Sequence, residues 1–257
     1  MKLYILMYHK ITEPGGESNI YSVNKEQFKA QMRWLKGNNF YCVTTKEITG
    51  IKEKARDERA AMVTFDDGYA DNYFNAMPIL QEFGIKATFF LTTGWIGREA
   101  MMTWEQLRRM NREGMAIESH ACSHRFLTDL NEEDIKRELR DSKEVIENEI
   151  GNSCRYISCP GGRINKKIIG IAKEMGFKGI FGSMPGLNES NLLGNNFVVY
   201  KRIPLTKNYT LNNFKKIFGK SDKGFMIERL GYQLKNLLKV LLGDEIYQQA
   251  WKRLINK

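Results

Sequence analysis

The 257-residue sequence predicts an α/β fold built around a parallel sheet. Short apolar runs alternate with segments of helical spacing, and the runs are apolar throughout, as in strands that are buried on both faces. Several of these runs end directly at charged residues. With about seven strands, either a (β/α) barrel or a doubly wound sheet fits, and in a barrel the polar residues would meet at the carboxyl ends of the strands.

Strands are predicted where a short apolar run is bounded by turn residues. In chain order they cover residues 3–8, 40–43, 60–65, 87–91, 115–119, 156–159, 176–181 and 197–200. Helices are predicted where apolar residues recur every three or four positions, over about residues 25–35, 72–83, 104–113, 132–150 and 166–175. Thr45, Thr103 and Asn131 are predicted N-caps, because their short polar side chains can accept a hydrogen bond from the first helical turn.

The charge is concentrated at one end of the chain. The 40 Lys and Arg outnumber the 30 Asp and Glu, and 13 basic against 4 acidic residues lie from Lys201 onward. This uneven charge and the lack of a recognition motif disfavour a nucleic-acid-binding protein. The composition, with 42% hydrophobic and 27% charged residues, excludes a disordered or collagen-like chain.

The amino terminus and the cysteines suggest a compartment. The apolar run at residues 3–8 is shorter than that of a secretory signal, no cleavage-site pattern follows it, and no run approaches the length of a membrane span. The four cysteines have no CxxC spacing, so we expect reduced thiols. We expect a cytoplasmic protein, with peripheral placement at the inner membrane face as an alternative.

Two histidines and two aspartates suggest a metal site. His120 and His124 are four residues apart, and on one helical turn such side chains can share an ion. Asp66 and Asp67 are adjacent carboxylates after a predicted strand, which is unfavourable unless a cation or hydrogen bonds accept them. One carboxylate and two imidazoles make a metal site with open positions, and the other carboxylate can act as a base. Taken singly, each pair has a purely structural explanation. The two histidines could be unconnected surface residues, and Asp-Asp-Gly could be a plain turn.

A third motif, Pro160-Gly161-Gly162, follows the strand at residues 156–159. Its backbone N–H groups have no side-chain shielding and could hold a developing oxyanion. A tight loop between a strand and a helix explains the same residues.

A strand ending in TFDDG, a later one ending in HxxxH and a third ending in PGG resemble the polysaccharide deacetylases, carbohydrate esterase family four, over about residues 1–205. The resemblance implies a distorted (β/α)7 barrel, here placed at residues 1–220. It also implies a hydrolase that uses a divalent metal, most often zinc, to remove N-acetyl groups from an amino sugar. A polysaccharide, an oligosaccharide or a lipid-linked precursor could carry that sugar.

The resemblance also implies roles for individual residues. Asp67, His120 and His124 match the metal ligands of the family. Asp66 matches its general base, and the backbone N–H of Gly161 matches its oxyanion donor.

The family usually places a catalytic histidine near the carboxyl terminus, but no histidine follows His124. The segment LMYHKI at residues 6–11 resembles the opening of a circularly permuted branch, typified by deacetylases of biofilm poly-N-acetylglucosamine. In that branch an N-terminal strand supplies the histidine. The resemblance therefore implies that His9 protonates the leaving amine, and a histidine held by structural hydrogen bonds is the alternative.

Two positions depart from the family pattern. Ala121 stands where Ser or Thr is usual, which implies one hydrogen bond fewer for this loop or its ligands. Ser158 stands where many members carry an Arg that orients the base, so another cation must orient Asp66. Arg163 and Arg202 are the candidates, and both could equally be surface arginines.

Aromatic and basic residues near the motifs are candidates for substrate binding. Tyr69 and Trp95 could stack on a sugar ring, with further contacts from Arg163 and Arg202. Core packing explains Trp95 equally well, and it is the preferred explanation for Trp104, which opens a predicted helix.

Residues 221–257 are predicted to form a basic amphipathic helical extension, with a second short helix after Gly243. The extension could cap the barrel, or it could lie on an anionic membrane near a lipid-linked sugar. The leading prediction is thus an enzyme with an N-acetylated amino-sugar substrate and no nucleic-acid partner. A catalytically inactive carbohydrate-binding protein on the same fold is the competing prediction, and the complete set of metal-binding residues argues against it.

Overall fold

The computed structural model describes residues 2–16, 19–51, 59–189 and 197–242. The strands are β1 (Lys2–Tyr8), β2 (Lys10–Thr12), β3 (Ser22–Asn24), β4 (Tyr41–Cys42), β5 (Ala60–Phe65), β6 (Ala87–Leu91), β7 (Ala116–Ser119), β8 (Tyr156–Ser158), β9 (Gly179–Phe181), β10 (Asn188–Glu189), β11 (Val198–Tyr200) and β12 (Ile203–Pro204). The helices are α1 (Lys25–Gly37), α2 (Met77–Glu82), α3 (Trp104–Arg112), α4 (Glu132–Ile150), α5 (Lys166–Glu174), α6 (Leu211–Ile217) and α7 (Met226–Leu242).

The main sheet runs in the order β10, β1, β5, β6, β7, β8, β9, β11, with every neighbouring pair parallel except β10 against β1. The short strands β11 and β12 are separated by Lys201 and Arg202. β11 pairs with β9, whereas β12 pairs with β1, so one segment joins the two ends of the sheet. The sheet therefore curls into a distorted barrel, and the predicted α/β class with parallel strands is confirmed.

Side chains along the strands alternate between two cores, as the pleat of a strand requires. On β1, Leu6 and Tyr8 pack with residues of the helices, whereas Leu3 and Ile5 belong to a second cluster. The second cluster, which we call the interior cluster, contains residues of the strands and of the segment after β4, and none of the α-helices. Its members are Leu3, Ile5, Val43, Ile48, Ile51, Ala60, Met62, Phe90, Tyr156, Phe181, Val198 and Tyr200.

Two of the three predicted N-caps are present. Thr103 forms a reciprocal capping box at the start of α3, and the Asn131 side chain accepts the Asp134 N–H at the start of α4. The prediction for Thr45 is wrong. Its hydroxyl is buried and donates to the Glu118 side chain at 2.8 Å instead of capping the 3-10 turn Ile48–Gly50, which begins three residues later.

The carboxy-terminal extension begins with a 3-10 turn that leads into α7. Asp222 accepts the Leu187 N–H at 3.0 Å, and the Tyr232 hydroxyl donates to the Gly162 carbonyl at 3.1 Å. These bonds attach the start of the extension to the barrel. The short helix predicted after Gly243 lies outside the described residues, and no helix within them is long and apolar enough to cross a bilayer.

Candidate active site

The site forms where the interior-facing positions of five strands continue past the strand ends. Every second residue of these strands faces the interior cluster. Continuing this alternation to the carboxyl ends places five polar residues on the same side: His9 after β1, Asp66 after β5, His120 after β7, Ser158 at the end of β8 and Arg202 after β11. Residues far apart in the sequence thus converge at one mouth of the barrel. This mouth is the carboxyl end of the parallel strands, where (β/α) barrels build their active sites.

Asp67, His120 and His124 form a cluster whose ligand atoms all lie within 4.8 Å of one another. Asp67 Oδ1 is 3.4 Å from His120 Nε2 and 3.3 Å from His124 Nε2. His120 Nδ1 bonds to the Ser158 carbonyl at 2.7 Å. A carbonyl oxygen only accepts, so Nδ1 carries the proton of this bond, and Nε2 is the ring nitrogen that faces Asp67, as in metal-binding histidines.

The geometry of this cluster fits a cation. Asp67 Oδ1 is buried and, within the described part of the chain, has no hydrogen-bond partner. A buried carboxylate oxygen without a hydrogen bond is unfavourable, and a cation between this oxygen and the two imidazoles would satisfy it. Asp67 and His124 also have φ values of 78° and 62°, in the left-handed region that non-glycine residues rarely adopt. One oxygen and two nitrogen donors with open positions suit a divalent transition metal ion.

Asp66 forms a buried bidentate ion pair with Arg202. Asp66 Oδ1 and Oδ2 each lie 2.7 Å from a guanidinium nitrogen of Arg202, whose side chain is 0% exposed. Ser158 Oγ donates to Asp66 Oδ2 at 3.1 Å and accepts from Arg202 at 2.7 Å. Burial opposes the ionisation of Asp66, but the Arg202 guanidinium, together with His120 and His9, outweighs it and holds the pKa of this carboxyl below its ordinary value.

The two candidate arginines therefore differ in position. Arg202 also donates to the Gly182 carbonyl at 2.8 Å, so its buried donors orient Asp66 and it does not line the surface as a substrate contact. Arg163 instead lies over the Phe126 ring at 4.1 Å, with a guanidinium nitrogen 3.6 Å from Asp129.

His9 lies between β1 and β2, next to the two aspartates. Asn72 donates to its backbone carbonyl at 2.7 Å, and its ring faces that of Tyr21 with 4.8 Å between centroids. Burial lowers the pKa of His9, and the nearby Asp67 and Asp66 carboxylates oppose this shift without cancelling it. Tyr21 lies directly before β3 and belongs to no sequence motif, so no pattern predicts its place beside His9.

The turn after β8 requires glycine at two successive positions. Gly161 and Gly162 have φ values of 64° and 69°. A Cβ at Gly161 would collide with the Phe126 ring, and one at Gly162 would collide with Ser183. The turn therefore excludes a side chain at both positions, with Gly161 exposed and the Gly162 N–H donating to the Cys159 carbonyl at 2.8 Å.

Two predicted aromatic residues flank the cluster of Asp67, His120 and His124. The Trp95 ring stacks on the His124 ring with 4.8 Å between centroids, so this tryptophan supports a ligand of the cluster. Tyr69 is half-buried, and Lys10 Nζ lies 4.5 Å from the centre of its ring. Trp104 packs against the helix-side core.

Comparison with known proteins identifies the family. A family model described as polysaccharide deacetylase matches residues 53–180. The Bacillus subtilis protein YxkH, named for the same family, is 37% identical over 179 residues, which are 69% of this chain and 63% of that protein. The chain thus spans less than two thirds of the length of that relative. A poly-beta-1,6-N-acetyl-D-glucosamine N-deacetylase of Staphylococcus aureus is 30% identical over 200 residues, covering 67% of this chain and 69% of that protein.

Among solved structures, the Streptococcus pyogenes deacetylase PplD in complex with acetate is similar, with a TM-score of 0.76 and 26% identity. The match covers 84% of this chain and 98% of that one. The parallel sheet agrees with this structural match. The chain belongs to the polysaccharide deacetylase family.

Proposed function

We propose that this chain is a metal-dependent amide hydrolase that removes N-acetyl groups from an amino sugar. The observation that carries the proposal is the Asp67–His120–His124 cluster beside the buried Asp66–Arg202 pair. The substrate named for the Staphylococcus aureus relative makes β-1,6-linked N-acetylglucosamine polymers and oligomers the first substrates to test. We propose zinc as the metal, because two imidazoles and one carboxylate are a donor set of catalytic zinc sites.

The proposed residues divide the steps of amide hydrolysis among them. An ion held by Asp67, His120 and His124 supplies Lewis-acid polarisation of the acetyl carbonyl and lowers the pKa of water. Asp66 accepts a proton from the water that attacks the carbonyl carbon. The Gly161 N–H donates to the carbonyl oxygen as it becomes an oxyanion.

His9 completes the proposed reaction. Cleavage of the carbon–nitrogen bond leaves an amine that is too basic to depart unprotonated, so His9 donates a proton to its nitrogen. The products are acetate and a free amino sugar. In this proposal His9 acts from the N-terminal strand, as in the circularly permuted branch that the sequence resembles.

Acetate release from β-1,6-linked N-acetylglucosamine oligomers, with metal content measured on the same samples, tests the proposal. We expect release by the zinc-loaded protein, loss after chelation, and recovery when zinc is returned. Asp66→Asn is expected to retain zinc and to lose about 100-fold or more in turnover. Turnover close to wild type in this variant would contradict the role of Asp66 as the base. A zinc-loaded protein that binds these oligomers without releasing acetate would favour the inactive carbohydrate-binding alternative.

We also propose that α7 brings the protein to an anionic membrane, where a lipid-linked sugar would be within reach of the site. Four apolar side chains of this helix, Met226, Ile227, Leu230 and Leu234, are 58–80% exposed. Their spacing places them along one side of the helix. The basic excess of the carboxy-terminal segment supports attraction to anionic lipid.

A further inference from the structure

The loop that carries His120 and His124 has an unfavourable backbone conformation. Ala121 and His124 have φ values of 62° each, in the left-handed region. Such a conformation costs free energy and persists only when surrounding contacts hold it. Contacts outside the metal-binding cluster must therefore keep His120 and His124 in place.

Glu138, on α4, accepts four hydrogen bonds from the centre of this loop. Its side chain is buried, and Oε2 accepts the Cys122 N–H at 2.9 Å and the Ser123 N–H at 2.8 Å. Oε1 accepts the Ser123 hydroxyl and an N–H of Arg125. Burial opposes the ionisation of Glu138, but these hydrogen bonds outweigh it and hold its pKa below the ordinary value. The carboxylate therefore acts as an acceptor on both oxygens.

Ser142, one turn further along α4, holds the start of the same loop. The hydroxyls of Ser142 and Ser119 bond to each other at 2.7 Å, and Ser119 Oγ accepts the Ala121 N–H at 3.0 Å. One buried face of α4 thus fixes both the entry and the centre of the loop. These bonds hold the backbone at Ala121, where the family usually has Ser or Thr.

We propose that Glu138 is a positioning residue for the metal ligands, which keeps His120 Nε2 and His124 Nε2 facing Asp67. The inference rests on the proposed metal-dependent function. It adds that a carboxylate on α4, which contacts neither the ion nor the substrate, holds the metal-ligand loop in its conformation before an ion binds. Loss of such an outer hydrogen-bonding partner typically weakens metal binding about 10–100-fold.

Zinc affinity, measured by competition with a chromophoric chelator, tests this role. Glu138→Ala is expected to bind Zn²⁺ about 10–100-fold more weakly than the wild type. Glu138→Gln keeps one acceptor oxygen and is expected to lose about 3–10-fold. Glu144→Ala, an exposed position on the same helix, is the matched control and is expected to bind as the wild type does. The visible absorption of the Co²⁺ form is expected to change in Glu138→Ala and to stay unchanged in the control.

All titrations are made well below the unfolding temperature of each variant, so that a loss of stability alone does not change the result. Wild-type zinc affinity and an unchanged Co²⁺ spectrum in Glu138→Ala would overturn the inference, even if that variant unfolds at a lower temperature. If Glu138→Ala does not fold, Glu138→Gln decides, and wild-type affinity there overturns the inference. A wild-type protein that binds no Zn²⁺ would instead overturn the proposed metal-dependent function.

Discussion

Asp66 and Asp67 are neighbours in the sequence, yet their carboxylates have different partners. Adjacent residues of a strand point to opposite faces, so a straight strand would separate the two side chains. The φ of 78° at Asp67 ends the extended conformation and turns its carboxylate toward His120 and His124, while Asp66 stays on the interior series and pairs with Arg202. One backbone turn thus brings both carboxylates to the same site, one paired with Arg202 and the other beside the two histidines.

At the same scale, the proposed role of His9 predicts a dependence on the leaving group. His9→Ala is expected to lower the rate of acetate release from an N-acetylated sugar about 100-fold or more, because the amine cannot leave without a proton. The same variant is expected to hydrolyse 4-nitrophenyl acetate at a rate close to that of the wild type, because the phenolate leaves unprotonated. The measurement is the ratio of kcat/KM for the two substrates.

Asp66→Asn provides the control for this experiment, because loss of the base is expected to slow both substrates. Equal losses on both substrates in His9→Ala would contradict its role as the acid. Equal retention on both would mean that the histidine is structural.

At the scale of elements, the segment from β11 to β12 decides how the Asp66 carboxylate is oriented. This segment crosses from β9 to β1, and Arg202 lies at the crossing, fully buried against Asp66. The chain changes its pairing partner at this point. Arg202 therefore lies where its guanidinium reaches both oxygens of the Asp66 carboxylate.

The sequence predicted eight of the twelve described strands, because apolar runs are local signals, and missed the short strands β2, β3, β10 and β12. It did not distinguish Arg163 from Arg202 as the cation that orients Asp66. Which strand the last segment pairs with depends on residues far apart in the sequence, so no local pattern indicates it. Counting alternate residues along β11 from Val198 would have placed Arg202 on the interior side. No such signal exists for Tyr21 or Glu138, whose contacts depend on how a loop and a helix pack on the barrel.

The buried pair predicts a large loss of stability when the arginine is removed. Arg202→Met is expected to lower the free energy of unfolding by about 3–5 kcal/mol, because it leaves the Asp66 carboxylate buried without its partner. Urea denaturation measures this change. Arg163→Met, whose ion pair to Asp129 is longer and more exposed, is the control, with an expected loss of about 1 kcal/mol or less.

The double variant Asp66→Asn/Arg202→Met removes the unpaired charge and is expected to recover part of the lost stability. A stability of Arg202→Met equal to that of the wild type would contradict the description of this pair as buried and tightly coupled.

At the scale of the whole molecule, the position of α7 relates the active site to the outer surface. The Tyr232 hydroxyl bonds to the Gly162 carbonyl, next to the proposed oxyanion donor Gly161. The same helix exposes Ile227 and Leu230, which are 80% and 59% accessible to solvent. If α7 lies on a lipid surface, this contact keeps the PGG turn close to the surface. The sugar of a substrate that remains attached to a lipid would then lie only a short distance from the active site.

Vesicle flotation tests the membrane contact with the full chain. The wild type is expected to float with vesicles that contain phosphatidylglycerol and to stay unbound with phosphatidylcholine alone, because binding needs both apolar burial and anionic lipid. Ile227→Glu/Leu230→Glu is expected to lower the bound-to-free ratio at least about 10-fold, since each side chain would otherwise bury apolar surface. Phe74→Glu/Val145→Glu adds the same charge at exposed apolar positions elsewhere and is the control. Equal flotation of the two double variants, or none by the wild type, would contradict membrane binding through α7 and favour a helix that serves only to cap the barrel.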